Sequence, residues 1–256
     1  ELEVLNKNFN QMIDRLKYQQ NKLLANERHE AWESVARKIA HEIKNPLTPI
    51  QLIIDNLRKK YSELFDEKNK ESFLDKIRTI NKQVKLIEKL VNEFSDFARM
   101  PKPIFKKNEL NKIIKDSIKL MKINDKDIAI NFSSKNVYYV NSDIEQLNRV
   151  FINLFKNSIE SLKEKHEKMG DFQKKINVEI QLINDYINIV VQDNGTGFTN
   201  NDPKILSKPY FTTKKDGSGL GLSIVEKILN DHNGFIEFIP QEEGAKIKIL
   251  LPKYVN

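Results

Sequence analysis

Phe73, Ile77, Ile80, Val84, Ile87, Val91 and Phe94 follow one another at alternating steps of four and three. That spacing suits a long amphipathic helix packed on other helices and cannot suit a strand, whose side chains repeat every second residue. A similar seam runs through Ala36, Ile39, Ile43, Leu47, Ile50, Ile54, Leu57, Tyr61 and Leu64. Two consecutive steps of four flank Ile43, and Pro46 lies in that stretch, where the missing donor is expected to bend the helix. A polar stretch around Asp66–Lys70 separates the two seams, so an antiparallel hairpin is expected. One hairpin leaves apolar seam exposed. Two hairpins paired as a four-helix bundle bury it, which predicts a homodimer. A further seam, Leu5, Phe9, Met12, Leu16, Gln19 and Leu23, reads as a coiled coil that breaks its heptad near Asn26–Arg28.

The run Met100-Pro101-Lys102-Pro103 ends the helical region and reads as a linker. Beyond it the pattern mixes periods. Leu110–Met121, Ile144–Leu162 and Leu220–Asn230 read as helices, the last closed by Gly234. Ile128–Phe132, Val137–Val140, Ile176–Ile183, Tyr186–Gln192, Phe235–Ile239 and Lys246–Leu251 read as strands, with Asn184-Asp185 turning between the third and fourth. The fold class is therefore multidomain, an all-α hairpin followed by an α/β sandwich. The boundaries are 1–27 for the coiled coil, 28–100 for the hairpin, 101–107 for the linker and 108–256 for the sandwich.

Composition closes off several function classes. The absence of cysteine excludes disulfides, thiolate metal sites and a Cys nucleophile, and agrees with a reducing cytoplasm. The net charge of +7 comes from lysines interleaved with Asp and Glu along the whole chain, the pattern of solvated helix faces rather than of a nucleic-acid surface. No window reaches the roughly 18 apolar residues a membrane helix needs. The chain starts at Glu1 with a helical pattern already under way, so a segment of a longer protein is expected.

His41 falls off the seam, on the outer face of its helix, in the string His41-Glu42-Ile43-Lys44-Asn45-Pro46-Leu47. The zinc-protease pattern H-E-x-x-H would need a second histidine where Asn45 stands, and His29, His166 and His232 share no ligand spacing with His41. A neutral imidazole is a competent nucleophile near pH 7, and an adjacent carboxylate such as Glu42 can orient it and accept its proton.

Three further strings carry phosphate chemistry. Asn153 and Asn157 stand four apart on one helix face. Asp193-Asn194-Gly195-Thr196-Gly197-Phe198 follows a strand, and Asp216-Gly217-Ser218-Gly219-Leu220-Gly221-Leu222 opens into a helix. Glycines there let backbone amides approach phosphate oxygens. No G-x-x-x-x-G-K-[ST] string occurs, and glycines at every second residue fit neither the dinucleotide fingerprint nor the protein-kinase loop.

Taken in this order, these strings resemble the transmitter portion of two-component sensor histidine kinases. His41 through Leu47 resembles the phospho-acceptor box, and Asn153–Asn157 the asparagine box of the Bergerat (GHKL) ATPase fold shared with gyrase, Hsp90 and MutL. Asp193–Gly197 and Asp216–Gly221 resemble its two glycine boxes. Lys208-Pro209-Tyr210-Phe211-Thr212-Thr213-Lys214 resembles the phenylalanine box of a mobile ATP lid. Ala36–Ala40, Leu47–Leu52 and Phe97–Pro103 are similar to NtrY-like nitrogen-regulation kinases. Leu5–Met12 resembles the exit helix of a HAMP module, which implies a membrane-bound sensory part before it and a cytoplasmic place for this chain.

The resemblance implies ATP and Mg²⁺ as cofactors. Asn157 would coordinate Mg²⁺ on the triphosphate with Asn153 in support, and Asp193 would accept a hydrogen bond from the adenine amino group. Gly195, Gly197, Thr213, Gly217, Gly219, Leu220 and Gly221 would shape the pocket and lid, and Lys214 would reach the terminal phosphate. Ala245 stands where many relatives have threonine and is assigned no role. His41 would take the phosphoryl group and pass it to an aspartate on the receiver domain of a response regulator, with Glu42 and Asn45 aligning water for the reverse, phosphatase direction. Hydrolytic relatives place a glutamate base where this chain has Asn153, so a gyrase-type ATPase lacks its base here. A nucleotide-binding scaffold without transfer is the other alternative.

Overall fold

The computed structural model describes residues 35, 37–61, 67–98, 100–125, 127–198, 203–214 and 217–255. The expected coiled coil over 1–27, the heptad break near Asn26–Arg28, and Ala36, Leu64, Asp66 and Asp216 lie outside these residues. The chain divides into two compact units, Glu1–Met100 and Pro101–Asn256.

In the first unit, helix α1 covers 37–61 and helix α2 covers Glu67–Ala98. Only residues 62–66 connect them. Five residues reach at most about 18 Å, whereas α1 is about 37 Å long at 1.5 Å per residue. Helices so joined can share a core only if they run antiparallel, and they do share one. Leu47 and Ile54 of α1 bury against Ile77 and Val84 of α2, with Phe73 packed on the cluster. Gln51 Nε2 donates to Asn81 Oδ1 at 2.8 Å across the hairpin.

The apolar seam splits into two rows. Ala40, Leu47 and Ile54 are buried, as are Ile77, Val84 and Val91, each set seven residues apart. Ile43, Ile50 and Leu57, and on α2 Ile80 and Ile87, stay 37–47% exposed. Ile39 belongs to the exposed set, so the buried position beside His41 is Ala40 rather than a seam residue expected from the sequence. The helix runs through Pro46 without interruption. Proline leaves the Glu42 carbonyl without its helical donor.

The second unit is a two-layer sandwich. Its mixed sheet has the order β2-β4-β5-β7-β6, formed by Ala129–Ser134, Lys175–Ile183, Tyr186–Asp193, Lys246–Pro252 and Phe235–Ile239 respectively. Only the β2–β4 pair is parallel. The connection between them carries β3 (Tyr139–Ser142), paired with β1 (Lys106–Glu109), and then α4 (Ile144–Met169). Helices α3 (Leu110–Asn124), α4 and α6 (Gly221–Asp231) cover one face, and α5 is the short turn Pro203–Leu206.

Strand periodicity sets what faces those helices. Ile187, Ile189 and Val191 on β5 are at most 1% exposed and pair with Leu182, Ile180 and Val178 of β4 and with Leu251, Ile249 and Ile247 of β7. The next residue on that face is Asp193, opposite Ile176 and 6% exposed. Period two thus carries a carboxylate into the core-facing row.

The apolar period predicts that α4 ends at Leu162. The helix continues to Met169, with a Glu164–Lys168 pair at four residues' spacing, and ends at Gly170, whose φ is +83°. Asn233, at φ +55°, closes α6 in the left-handed region. Gly234, expected to close the helix, does so through its amide, which donates to the Leu229 carbonyl at 2.7 Å, and it also serves close packing. A Cβ there would lie 2.7 Å from the Leu250 carbonyl oxygen. The segment 101–107, read as linker, is tied into this unit. Ile104 N donates to Asp143 Oδ2 at 2.9 Å, Gln146 Nε2 donates to the Pro101 carbonyl at 2.8 Å, and β1 starts at Lys106. Among the described residues no helix is long and apolar enough to cross a membrane.

Candidate active site

Helix α4 buries Leu147, Val150, Phe151, Leu154, Phe155, Ser158 and Leu162. Asn153 and Asn157 flank that stripe, half-buried, with Glu160 and Ser161 one turn further on. Four groups outside the helix converge on this flank.

The first is the end of β5. Asp193 Oδ1 accepts the amides of Gly195 at 3.0 Å and Ala245 at 3.2 Å, and Asp193 N donates to the Ala245 carbonyl at 2.9 Å. Ala245, assigned no role from its side chain, holds the carboxylate through its backbone. Burial raises the Asp193 pKa above the ordinary carboxylate value, against the two amides, the Ser158 hydroxyl and the Lys214 charge, which lower it. The packing is close enough to require glycine. A Cβ on Gly244, at φ +73°, would stand 1.9 Å from the Asp193 carbonyl oxygen, and one on Gly197, at φ +76°, 2.8 Å from the Gly244 oxygen.

The second is the turn after Asp193. Thr196 N donates to Ser161 Oγ at 2.9 Å, and Lys165 Nζ reaches the Asn194 carbonyl at 2.8 Å and Glu243. The turn is thereby fastened to α4.

The third is the segment 207–220 before α6. Tyr210 adopts φ +66°, a strained value for a bulky residue, and its amide donates to the Gly219 carbonyl at 3.0 Å. A Cβ on Gly219 would lie 2.5 Å from the Tyr210 carbonyl carbon. Gly217 packs in the same way against Thr212 Oγ1. These two glycines serve the segment's own fold, whereas a Cβ on Gly221 would make an ordinary contact with Asn153 Oδ1 at 3.7 Å. Leu220, 2% exposed, is the N-cap of α6 and offers no side-chain acceptor to the first amides of the helix.

The fourth is Lys214, whose Nζ lies 3.3 Å from Asn157 Oδ1 and 2.5 Å from Glu160 Oε2. Thr213 points to solvent, while its neighbour Thr212 accepts the Lys214 amide at 3.1 Å. The second unit therefore gathers Asn153, Asn157, Asp193, Gly195, Gly197, Lys214, Gly217, Gly219, Leu220 and Gly221 around one flank of α4. His41, Glu42 and Asn45 lie exposed on α1 in the first unit.

Glu160, Ser161, Gly244 and the Ala245 backbone were not found from the sequence. Gly244 sits in the turn between β6 and β7, where a hairpin glycine is unremarkable. Only the strand pairing brings it beside Asp193.

Residues 142–255 match the histidine kinase-, DNA gyrase B- and HSP90-like ATPases, and residues 31–103 match the His Kinase A (phospho-acceptor) domain. A sensor histidine kinase NtrY-like protein of Rickettsia felis is 39% identical over 246 residues, which are 94% of this chain and 39% of that protein. The chain thus spans about two fifths of the length of such relatives. The catalytic domain of histidine kinase ThkA is 28% identical with a TM-score of 0.51, covering 59% of this chain and 96% of that one. ThkA in complex with response regulator protein TrrA shares the fold over 89% of this chain and 64% of that one, at 24% identity and a TM-score of 0.60.

Proposed function

The chain belongs to the sensor histidine kinases, and from that premise we propose that it transfers the γ-phosphoryl group of ATP to His41 and then to an aspartate of a response regulator. One observation carries the reading. The nucleotide flank of α4 presents the carboxamides of Asn153 and Asn157 and no carboxylate at 153, so water there lacks a strong base. An exposed histidine on the phospho-acceptor hairpin supplies the nucleophile instead.

Asp193 would fix the adenine, since a buried carboxylate is a strong and specific acceptor for an amino group. The uncapped amides of α6 and the glycine-rich approach at Gly221 would receive phosphate oxygens. Asn157 would hold Mg²⁺. The Lys214 ammonium already lies against Asn157 Oδ1, so that oxygen accepts a cation, and a hard oxygen donor suits this ion. Bound there with ATP, Mg²⁺ would neutralise phosphate charge. In the transfer the imidazole nitrogen bonds to the γ-phosphorus as the bond to the bridging oxygen breaks and ADP leaves. The imidazole proton passes to Glu42. Positioning and charge stabilisation supply the acceleration.

The exposed rows Ile43–Ile50–Leu57 and Ile80–Ile87 support a homodimeric four-helix bundle. We assign the hairpin to 28–100 and the ATP domain to the region after it. Glu42 and Asn45 would align water for dephosphorylating the regulator. The ThkA complex with TrrA supports a receiver domain as partner.

Incubation with γ-labelled ATP tests the reading. Acid-labile, alkali-stable label on the protein, lost in His41→Gln, is expected. Free phosphate without protein label would overturn it in favour of an ATPase, and the absence of both in favour of a scaffold.

A further inference from the structure

The Lys214 ammonium joins the segment before α6 to α4. Lys214 Nζ bridges Glu160 Oε2 at 2.5 Å and Asn157 Oδ1 at 3.3 Å, two oxygens three residues apart on the same helix flank. The lysine is held from its backbone as well. Its amide donates to Thr212 Oγ1 at 3.1 Å, and its carbonyl accepts the Gly217 amide at 3.3 Å. Fixing Nζ therefore fixes the segment around it.

Asn157 Oδ1 is the oxygen assigned above to Mg²⁺, and this inference rests on that nucleotide reading. An ammonium and a divalent cation cannot share it, because like charges a few ångströms apart repel strongly in a partly buried site. Asn157 is neutral and would hold a lysine weakly. The negative charge that keeps the ammonium there belongs to Glu160, which the proposed reaction does not otherwise use. We propose that Glu160 is a positioning residue that latches the lid through Lys214 in the nucleotide-free protein, and that Mg·ATP opens the latch by taking Asn157. Displaced from Asn157, the same ammonium becomes free to pair with the terminal phosphate. One side chain thus reports an empty site by its bond to Glu160 and a filled one by its bond to the nucleotide.

Amide hydrogen exchange of the 203–219 region in the full chain tests this. Glu160→Gln and Lys214→Met are each expected to speed nucleotide-free exchange about two- to fivefold, the range of a partly exposed ion pair. The double variant is expected to exchange no faster than either single one, because both remove the same contact. With saturating Mg·ATP, Glu160→Gln and wild type are expected to converge. A wild-type lid indifferent to Mg·ATP would overturn the nucleotide reading itself. A responsive lid whose exchange is unchanged in Glu160→Gln, or single variants whose effects add, would overturn the latch alone.

Discussion

His232 Nε2 accepts the amide of Asp143 at 3.0 Å, so its other nitrogen, 2.8 Å from the Ile228 carbonyl oxygen, carries the ring proton. Asp143 is the N-cap of α4, taking the amides of Glu145 and Gln146, and its second oxygen holds Ile104. A buried neutral imidazole thereby ties α6 to the start of the helix that carries the candidate site.

That pair makes stability depend on pH in a defined direction. Burial lowers the His232 pKa below the ordinary imidazole value, against the Ile228 carbonyl and the Asp143 and Asp231 charges, which raise it. The unfolded chain takes up this proton below pH about 6.5, while the folded one resists it. The stability is complete above that pH and is lost as pH falls through the lower folded value. Asp143, also lowered, acts only in the acid range below the ordinary carboxylate pKa. Thermal melts from pH 7.5 to 5 are expected to fall for wild type and to be flatter for His232→Gln.

Gly244→Ala is expected to destabilise the second unit by about 3 kcal/mol or more, because its Cβ meets the Asp193 carbonyl and its φ is positive. Urea unfolding followed by far-UV dichroism measures the change. Gly221→Ala, whose Cβ would make only an ordinary contact with Asn153 Oδ1, is expected to unfold near the wild-type midpoint.

Asp193→Asn separates binding from folding. Ionising this carboxylate in the fold works against burial, which raises its pKa. The amide side chain removes that conflict while its oxygen still accepts the Gly195 and Ala245 amides. ATP affinity by nucleotide titration is expected to fall about ten- to hundredfold, the range for losing a charged hydrogen bond. The melting temperature is expected not to fall.

The two rows of the hairpin predict different losses. Ile77→Ala, in the buried row, is expected to cost about 2–5 kcal/mol of hairpin stability. Ile50→Asp, in the exposed row, is expected to raise the dimer dissociation constant more than tenfold. Sedimentation at a series of concentrations distinguishes the two.

Helical and strand periods made most of the fold legible. The seam of α2 and the alternation of β4, β5 and β7 appear where burial on one face imposes the pattern. Strand β1, Lys-Lys-Asn-Glu, was invisible because its residues are exposed or half-buried and carry no apolar alternation. The division of the seam into buried and exposed rows was also unreadable, since both rows are equally apolar and only the hairpin geometry decides between them. At the site, Asn153 and Asn157 declared themselves by helical spacing. Glu160 did not, because a glutamate on a lysine-rich helix is ordinary until Lys214, 54 residues on, lies against it.

Asp193 shares its sheet face with Ile187, Ile189 and Val191. A slip of β5 by one residue would turn those three to water and point the carboxylate away from α4 at the same time. The base recognition proposed for Asp193 and correct strand pairing therefore stand or fall together. A chain that binds the nucleotide has, in doing so, passed an inspection of its own folding.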